Sequence, residues 1–166
     1  MRPSSNTKST ACFLKAGCLL AFIFVFSGSL RAEVIADSFN DWSALGEQGE
    51  LNWYNGYYNL TNDFDMSYEL DDFIEYDPEH WRGNGWRLVP SGAPWTWIAQ
   101  EQSHPNGANS APNEEHWTIR RWVCDREGAV GLTWRWRGEN GPRTGATGAV
   151  WMSGDAVYRS AVGGGA

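Results

Sequence analysis

The chain has 166 residues, with twenty acidic and thirteen basic side chains and a formal net charge of −7 at pH 7. A strongly acidic surface repels phosphate groups, so the composition predicts a protein that binds neither nucleic acid nor an anionic lipid surface. The same acidity also keeps a protein soluble, and this simpler interpretation of the charge stays open.

The first thirty-two residues have the pattern of a bacterial-type secretory signal peptide. Basic residues at positions 2, 8 and 15 precede an almost wholly apolar run over positions 16–26, and no acidic residue occurs before Glu33. The apolar run is shorter than the ~20 residues that a helix needs to span a bilayer. We predict a helical signal peptide over residues 1–32, cleaved after Ser29 or Ala32. The mature protein is then secreted, or held in the periplasm or at the cell surface, without a membrane span.

The predicted mature domain covers residues 33–166, long enough for one hydrophobic core. It holds all eleven Trp, all twenty acidic residues and nine Arg but no Lys, which gives it a net charge of −11. Thirteen of the acidic residues lie within positions 33–79, where no basic residue occurs. Because Cys124 is the only cysteine of this segment, we expect the core to supply the stability that an intrachain disulfide would otherwise give.

Turn-forming residues interrupt the domain about every eight to twelve residues, a spacing typical of an antiparallel β-sandwich. Strands are predicted over residues 34–39, 51–58, 72–76, 95–100, 115–124, 129–137, 148–152 and 157–162. The clearest alternation of apolar and polar residues covers positions 130–137. Ser153-Gly154-Asp155 predicts a tight hairpin turn. A glycine run directly follows the last predicted strand, so the sequence leaves open whether the domain is complete or truncated at its C-terminus.

Aromatic and polar side chains are interleaved in two parts of the domain, a composition that suits carbohydrate binding. Sugars place flat C–H faces on aromatic rings, and their hydroxyl groups need hydrogen-bonding partners. The candidate stacking rings are Trp53, Tyr54, Tyr57, Tyr58 and Trp95, and Trp97 is predicted to share the face of Trp95. The candidate hydrogen-bonding residues are His104, Asn106, Glu115 and Arg120. The competing interpretation is that most of these rings form the core, since two-residue spacing is also typical of a buried strand face.

An arginine that points into the domain from the predicted strand 115–124 needs a partner that compensates its charge. The candidate carboxylates are Asp71, Asp72, Glu75 and Asp77. Such pairing would explain why acidic residues and arginines are concentrated in different halves of the domain. The alternative is an arginine cluster that binds a ligand.

Metal binding and catalysis have little support in the sequence. Asp63 and Asp65 lie in a predicted loop and are the candidate ligands of a structural calcium ion; no other cofactor is predicted. The three histidines lack the spacing of a zinc site. Neither a G-x-S-x-G motif nor a phosphate-binding glycine loop occurs, so we predict that the domain is not an enzyme.

Several Trp- and Tyr-containing motifs occur in a specific order. They are Gln48-Gly49, Trp53-Tyr54-Asn55-Gly56-Tyr57-Tyr58-Asn59, Ala93-Pro94-Trp95-Thr96, His104-Pro105-Asn106-Gly107, Glu115-His116-Trp117-Thr118-Ile119-Arg120-Arg121-Trp122 and Thr147-Gly148. Over residues 36–162 the chain resembles a family of secreted bacterial Trp-rich β-sandwich domains. The resemblance implies an all-β, antiparallel, jelly-roll-like sandwich similar to carbohydrate-binding modules. It implies no activity, because a fold alone does not set function.

These observations predict an exported, non-catalytic β-sandwich domain that binds a polysaccharide or a cell-surface glycan. The first alternative is a structural or adhesive cell-surface module without a small ligand, which requires polar residues buried in Arg–carboxylate pairs. The second alternative is a small secreted hydrolase, which requires a cleft with two facing carboxylates. The exposure of each ring and of each polar candidate distinguishes the three.

Overall fold

The computed structural model describes residues 33–138 and 145–163, and the predicted signal peptide over residues 1–32 lies outside them. The described part is all-β, as predicted, with antiparallel strands joined by loops and one-turn 3-10 helices. Its strands are β1 (Trp53–Asn59), β2 (Ile74–Glu75), β3 (Gly85–Arg87), β4 (Trp97–Ala99), β5 (Ser103–His104), β6 (His116–Trp122), β7 (Ala146–Met152) and β8 (Asp155–Val162). No helix in this part of the chain has the length and apolar character needed to cross a bilayer.

The strands form three separate antiparallel sheets. The central sheet has the order β2-β1-β6, the side sheet has the order β3-β4-β5, and β7 and β8 form a hairpin. The ladder between β1 and β6 runs without interruption from the pair Trp53 and Trp122 to the pair Asn59 and His116. Because side chains alternate between the two faces of a strand, this register decides which aromatic residues meet on each side of the central sheet.

One face of the central sheet packs on the side sheet through aromatic rings. Trp86 of β3 pairs with Ile98 of β4, and both side chains are buried. The ring of Trp86 stacks on Tyr76, with the ring centroids 6.1 Å apart and the planes 5° from parallel. Tyr76 in turn contacts Tyr57 of β1 at 5.5 Å between centroids. Large buried rings of this kind supply core area that a disulfide-free domain needs.

A second chain of rings covers the opposite face of the central sheet. Tyr58 of β1 contacts its cross-strand partner Trp117 edge to face, with centroids 5.1 Å apart. Tyr58 also contacts Tyr68, and Tyr68 contacts Trp151 of the hairpin, at 5.3 and 5.1 Å. Both faces of β1 are therefore covered by aromatic packing.

The sequence predicted the long strands and the hairpin turn correctly but missed or overextended the short strands. The predicted strands 51–58, 115–124, 148–152 and 157–162 correspond to β1, β6, β7 and β8, and the tight turn is confirmed, since Met152 pairs with Asp155. Ser153 and Gly154 both have positive φ, 52° and 93°, as a two-residue hairpin loop requires. The predicted strands 72–76 and 95–100 shorten to β2 and β4, and the short strands β3 and β5 were not predicted.

The predicted strands 34–39 and 129–137 are wrong. Residues 34–39 end in a turn that Asp37 closes, because its carboxylate accepts hydrogen bonds from the backbone of Phe39 and Asn40. Residues 129–137 pair with no strand of the described part of the chain. Their alternation serves side-chain packing instead: Trp134 and Trp136 contact Tyr158 of β8 at 5.0 and 5.9 Å between centroids.

The chain packs closely around Gly56 at the centre of β1. A Cβ at this position would lie 2.3 Å from the backbone oxygen of Ile74 and 2.6 Å from the ring of Phe73. We expect Gly56→Ala to lower the free energy of unfolding by about 1–3 kcal/mol through overpacking. The control is Gly107→Ala, where a Cβ meets nothing within 4 Å and which should change stability by less than about 0.5 kcal/mol. Urea unfolding measures both, and equal effects of the two variants would contradict this packing.

Candidate functional site

The aromatic tract of β1 is packed and does not form an open platform. Tyr58 is only 2% exposed, and its hydroxyl donates a hydrogen bond to Asp63. Trp53 and Tyr57 are half-buried: the Trp53 indole contacts Trp122 at 6.4 Å between centroids, and its N–H donates to Asp41. Burial, together with the nearby carboxylates of Asp77 and Glu114, raises the pKa of Tyr57. These rings serve the core, the competing interpretation that the sequence left open.

Tyr54 and Glu115 are likewise half-buried residues with structural contacts. The Tyr54 ring lies against Gly49, in the turn that precedes β1. The Glu115 carboxylate accepts a hydrogen bond from the indole N–H of Trp117, and the Glu115 backbone N–H donates to the hydroxyl of Thr61.

A buried polar network joins the side sheet to the central sheet. His116 and Thr96 are each 1% exposed, and the imidazole Nδ1 lies 2.7 Å from the Thr96 hydroxyl. The imidazole Nε2 lies 3.1 Å from the carboxylate of Glu114. An ionised carboxylate only accepts hydrogen bonds. The neutral imidazole therefore donates a hydrogen bond from Nε2 to Glu114 and accepts one at Nδ1 from the Thr96 hydroxyl. Carboxylate, imidazole and hydroxyl stand in the order of a hydrolase triad, but the buried hydroxyl is closed to a substrate.

Asn106, a predicted ligand-binding residue, is instead a buried structural residue. Its side-chain oxygen accepts a hydrogen bond from the backbone N–H of Trp95 at 2.9 Å, and its side-chain N–H donates to the backbone oxygen of Glu114 at 2.6 Å. Its own backbone exchanges both hydrogen bonds with His116. Asn106 therefore fixes the backbone position of Trp95 without contacting the surface itself.

Arg120 is half-buried with a largely desolvated guanidinium, and no carboxylate among the described residues pairs with it, so the predicted pairing with Asp71, Asp72, Glu75 or Asp77 is wrong for this residue. Its guanidinium donates to the backbone oxygens of Ser38 at 2.9 Å and Ala99 at 2.6 Å, and also to that of Gln100. It lies 4.9 Å from the centroid of the Trp42 ring, a cation–π contact. Burial lowers the pKa of Arg120 to about 10. Carbonyl dipoles and a ring face thus replace the expected carboxylate.

The open aromatic face lies on the side sheet. Register places Arg87 of β3, Trp97 of β4 and His104 of β5 side by side, on the face opposite to the buried Trp86 and Ile98. The guanidinium of Arg87 lies 4.9 Å from the Trp97 ring centroid. The imidazole of His104 lies over the same ring at 6.2 Å, with the planes 24° apart.

Trp95 completes this face, which we call the Trp95 surface and define as Arg87, Trp95, Trp97 and His104. Trp95 is 47% exposed, and its ring centroid lies 6.5 Å from that of the His104 ring. The surface borders a shallow recess of about 50 Å³. It is lined by Arg87, Val89, Pro90, Ser91, Gly92, Pro94, Trp95, Thr96 and Trp97. Trp95 and His104 were predicted site residues, whereas Arg87 was missed because β3 was not predicted.

A second cavity lies beneath the Arg120 guanidinium. Its lining includes Asp41, Glu47 and Glu50 together with Arg120 and Asn55. Its volume of about 10 Å³ fits one water molecule and no sugar ring. Among the described residues, the Nε of Arg120 and the side-chain oxygen of Asn55 have no hydrogen-bond partner, and a water in the cavity that both residues line can serve them.

The candidate calcium ligands gain no support from the geometry. Asp63 accepts hydrogen bonds from the Tyr58 hydroxyl and the Ser67 backbone, and the Tyr58 bond is the main cause of its lowered pKa. Asp65 also accepts from the Ser67 backbone. Among residues 33–138 and 145–163, no three His, Cys, Asp or Glu side chains come together in a way that would hold a metal ion.

Comparisons with protein-family models, with curated proteins and with solved structures find no match for this chain.

The buried network makes the stability of the domain depend on pH through His116. Burial lowers the pKa of His116 below its ordinary value of 6.5, and the Glu114 carboxylate offsets only part of this effect. The folded chain then binds fewer protons than the unfolded chain. We therefore expect stability to be full above about pH 6.5 and to fall as the pH drops below that value.

Urea unfolding at about pH 7.5 and about pH 5.5 tests this dependence in three proteins. His116→Gln should be less stable than the wild type at the higher pH, because Thr96 and Glu114 lose their partner. It should also lose less stability between the two pH values. His104→Gln is the control. It replaces an exposed imidazole outside the buried network and should show the wild-type pH dependence of stability. An unaltered pH dependence in His116→Gln would show that His116 is not the titrating group.

Proposed function

We propose that this chain is an exported, non-catalytic β-sandwich domain that binds carbohydrate through the Trp95 surface. The observation that carries the proposal is the exposed Trp95 ring, which lies beside Trp97, His104 and a shallow recess. Aromatic faces accept the C–H faces of a sugar, and neighbouring N–H groups can bond its hydroxyls. The partner we propose is a polysaccharide or a cell-surface glycan.

The rigidity of the Trp95 surface supports a binding role. The backbone of Trp95 is bonded to buried Asn106, and Thr96 is bonded to buried His116. Trp97 is held between Arg87 and His104. A surface fixed before the ligand arrives loses little conformational entropy on binding, which favours affinity.

The finer architecture and the location belong to the same proposal. The central and side sheets meet through buried rings, a contact that supports a sandwich of the jelly-roll-like kind. The basic and apolar pattern of residues 1–32 supports export to the periplasm, the cell surface or the medium.

Two alternatives receive less support. A purely structural module is disfavoured because Arg120 is bonded to backbone oxygens instead of carboxylates, and because Trp95 is open. A hydrolase is disfavoured because the acid-lined cavity at Asp41, Glu47 and Glu50 is too small for a sugar ring.

Binding to a glycan array, followed by calorimetry with the glycans that bind, tests the proposal. Trp95→Ala should weaken binding by roughly tenfold, because the stacking ring is removed while the Trp95 backbone bond to Asn106 remains. Trp134→Ala is the matched control: Trp134 is 42% exposed but packs against Tyr158 of the hairpin. Absence of binding to every glycan, or equal weakening by both variants, would overturn the proposal.

A further inference from the structure

We infer that the carbohydrate bound at the Trp95 surface carries carboxylate groups, as a uronic-acid polysaccharide does. This inference rests on the proposed function and names the ligand class of the same site. It depends on the positive charge that lies among the aromatic rings.

Arg87 is the source of that charge. Its guanidinium lies over the Trp97 ring and lines the recess, and it makes no hydrogen bond or ion pair within the described part of the chain. A guanidinium has five N–H donors in a plane and binds a carboxylate through two parallel hydrogen bonds. Arg120, in contrast, uses its donors on three backbone oxygens. Arg87 therefore has the donors that an acidic sugar requires.

His104 adds a hydrogen-bonding atom on the other side of Trp97. Its imidazole is exposed, and Nδ1 lies 2.7 Å from the backbone oxygen of Pro105, an arrangement in which Nδ1 donates. The Nε2 atom is left for a ligand, as acceptor in the neutral ring and as donor in the charged ring. Arg87 and His104 lie on the two sides of Trp97, so a sugar stacked near this ring meets the Arg87 donors at one edge and the His104 Nε2 atom at the other.

The lining of the recess contains no carboxylate within the described residues, although the predicted mature domain has a net charge of −11. A patch of this kind attracts the carboxylate of the sugar residue that lies against it. At physiological salt the screening length is about 8 Å, so charges close to the recess decide the interaction. Positive charge and stacking rings together fit a sugar acid better than a neutral sugar.

Calorimetry with polygalacturonate and alginate, each compared with its methyl ester, tests this inference on the mature chain. The ester keeps the sugar rings and removes the negative charge. We expect the wild type to bind the acid forms about tenfold more tightly than the esters. The preference should decrease at high salt, because the interaction of Arg87 with a carboxylate is screened.

Arg87→Gln should reduce the preference to about twofold or less, since the amide keeps hydrogen bonding but lacks the charged fork. Arg159→Gln, at an exposed arginine of β8, is the matched control and should keep the wild-type preference. Thermal unfolding checks that both variants fold. Equal binding of acids and esters, with both weakened in Trp95→Ala, would overturn the acidic ligand class and leave carbohydrate binding intact. Absence of binding to acids, esters and the whole glycan array would overturn both proposals.

Discussion

The hydrogen bond between the Thr96 hydroxyl and the His116 imidazole fixes the side sheet on the central sheet. Both residues are almost fully buried, and an unpaired polar group at that depth costs about 1–3 kcal/mol, so sliding of β4 along β6 is strongly disfavoured. Asn106 adds a second link by accepting from the Trp95 backbone and pairing with the His116 backbone. The packing of Trp86 on Tyr76 and the direction of Trp95 both depend on this alignment.

The positive charge of Arg120 is compensated by backbone oxygens and an aromatic ring. The guanidinium of Arg120 connects the segment before β1, at Ser38, to the end of β4, at Ala99, and lies on the ring of Trp42. A buried cation is tolerated where carbonyl oxygens replace its hydration, and no second charge has to be buried. Two arginines on neighbouring sheets therefore have opposite roles, because Arg120 uses its donors inside the domain and Arg87 offers them at the surface.

The sequence predicted the all-β class, the long strands β1 and β6, and the turn at Ser153 and Gly154, because each depends on local alternation or local turn chemistry. The candidates Trp53, Tyr57 and Tyr58 of β1 are packed against other rings, because aromatic alternation in one strand does not reveal that other segments cover both of its faces. The strand predicted over residues 129–137 failed for a related reason: alternation indicates an extended chain but does not supply a neighbouring strand. Arg87 was missed because β3 is only three residues long and becomes recognisable through its pairing with Trp97.

The central claim is that ligand binds on the outer face of the side sheet and not along β1. The indole N–H resonances of the eleven Trp residues report on this directly in a two-dimensional NMR titration with oligogalacturonate. We predict that the resonances of Trp95 and Trp97 shift on addition of the oligosaccharide, while those of half-buried Trp53 and buried Trp86 stay in place. Shifts confined to Trp53, or to Trp134 near the hairpin, would contradict the account.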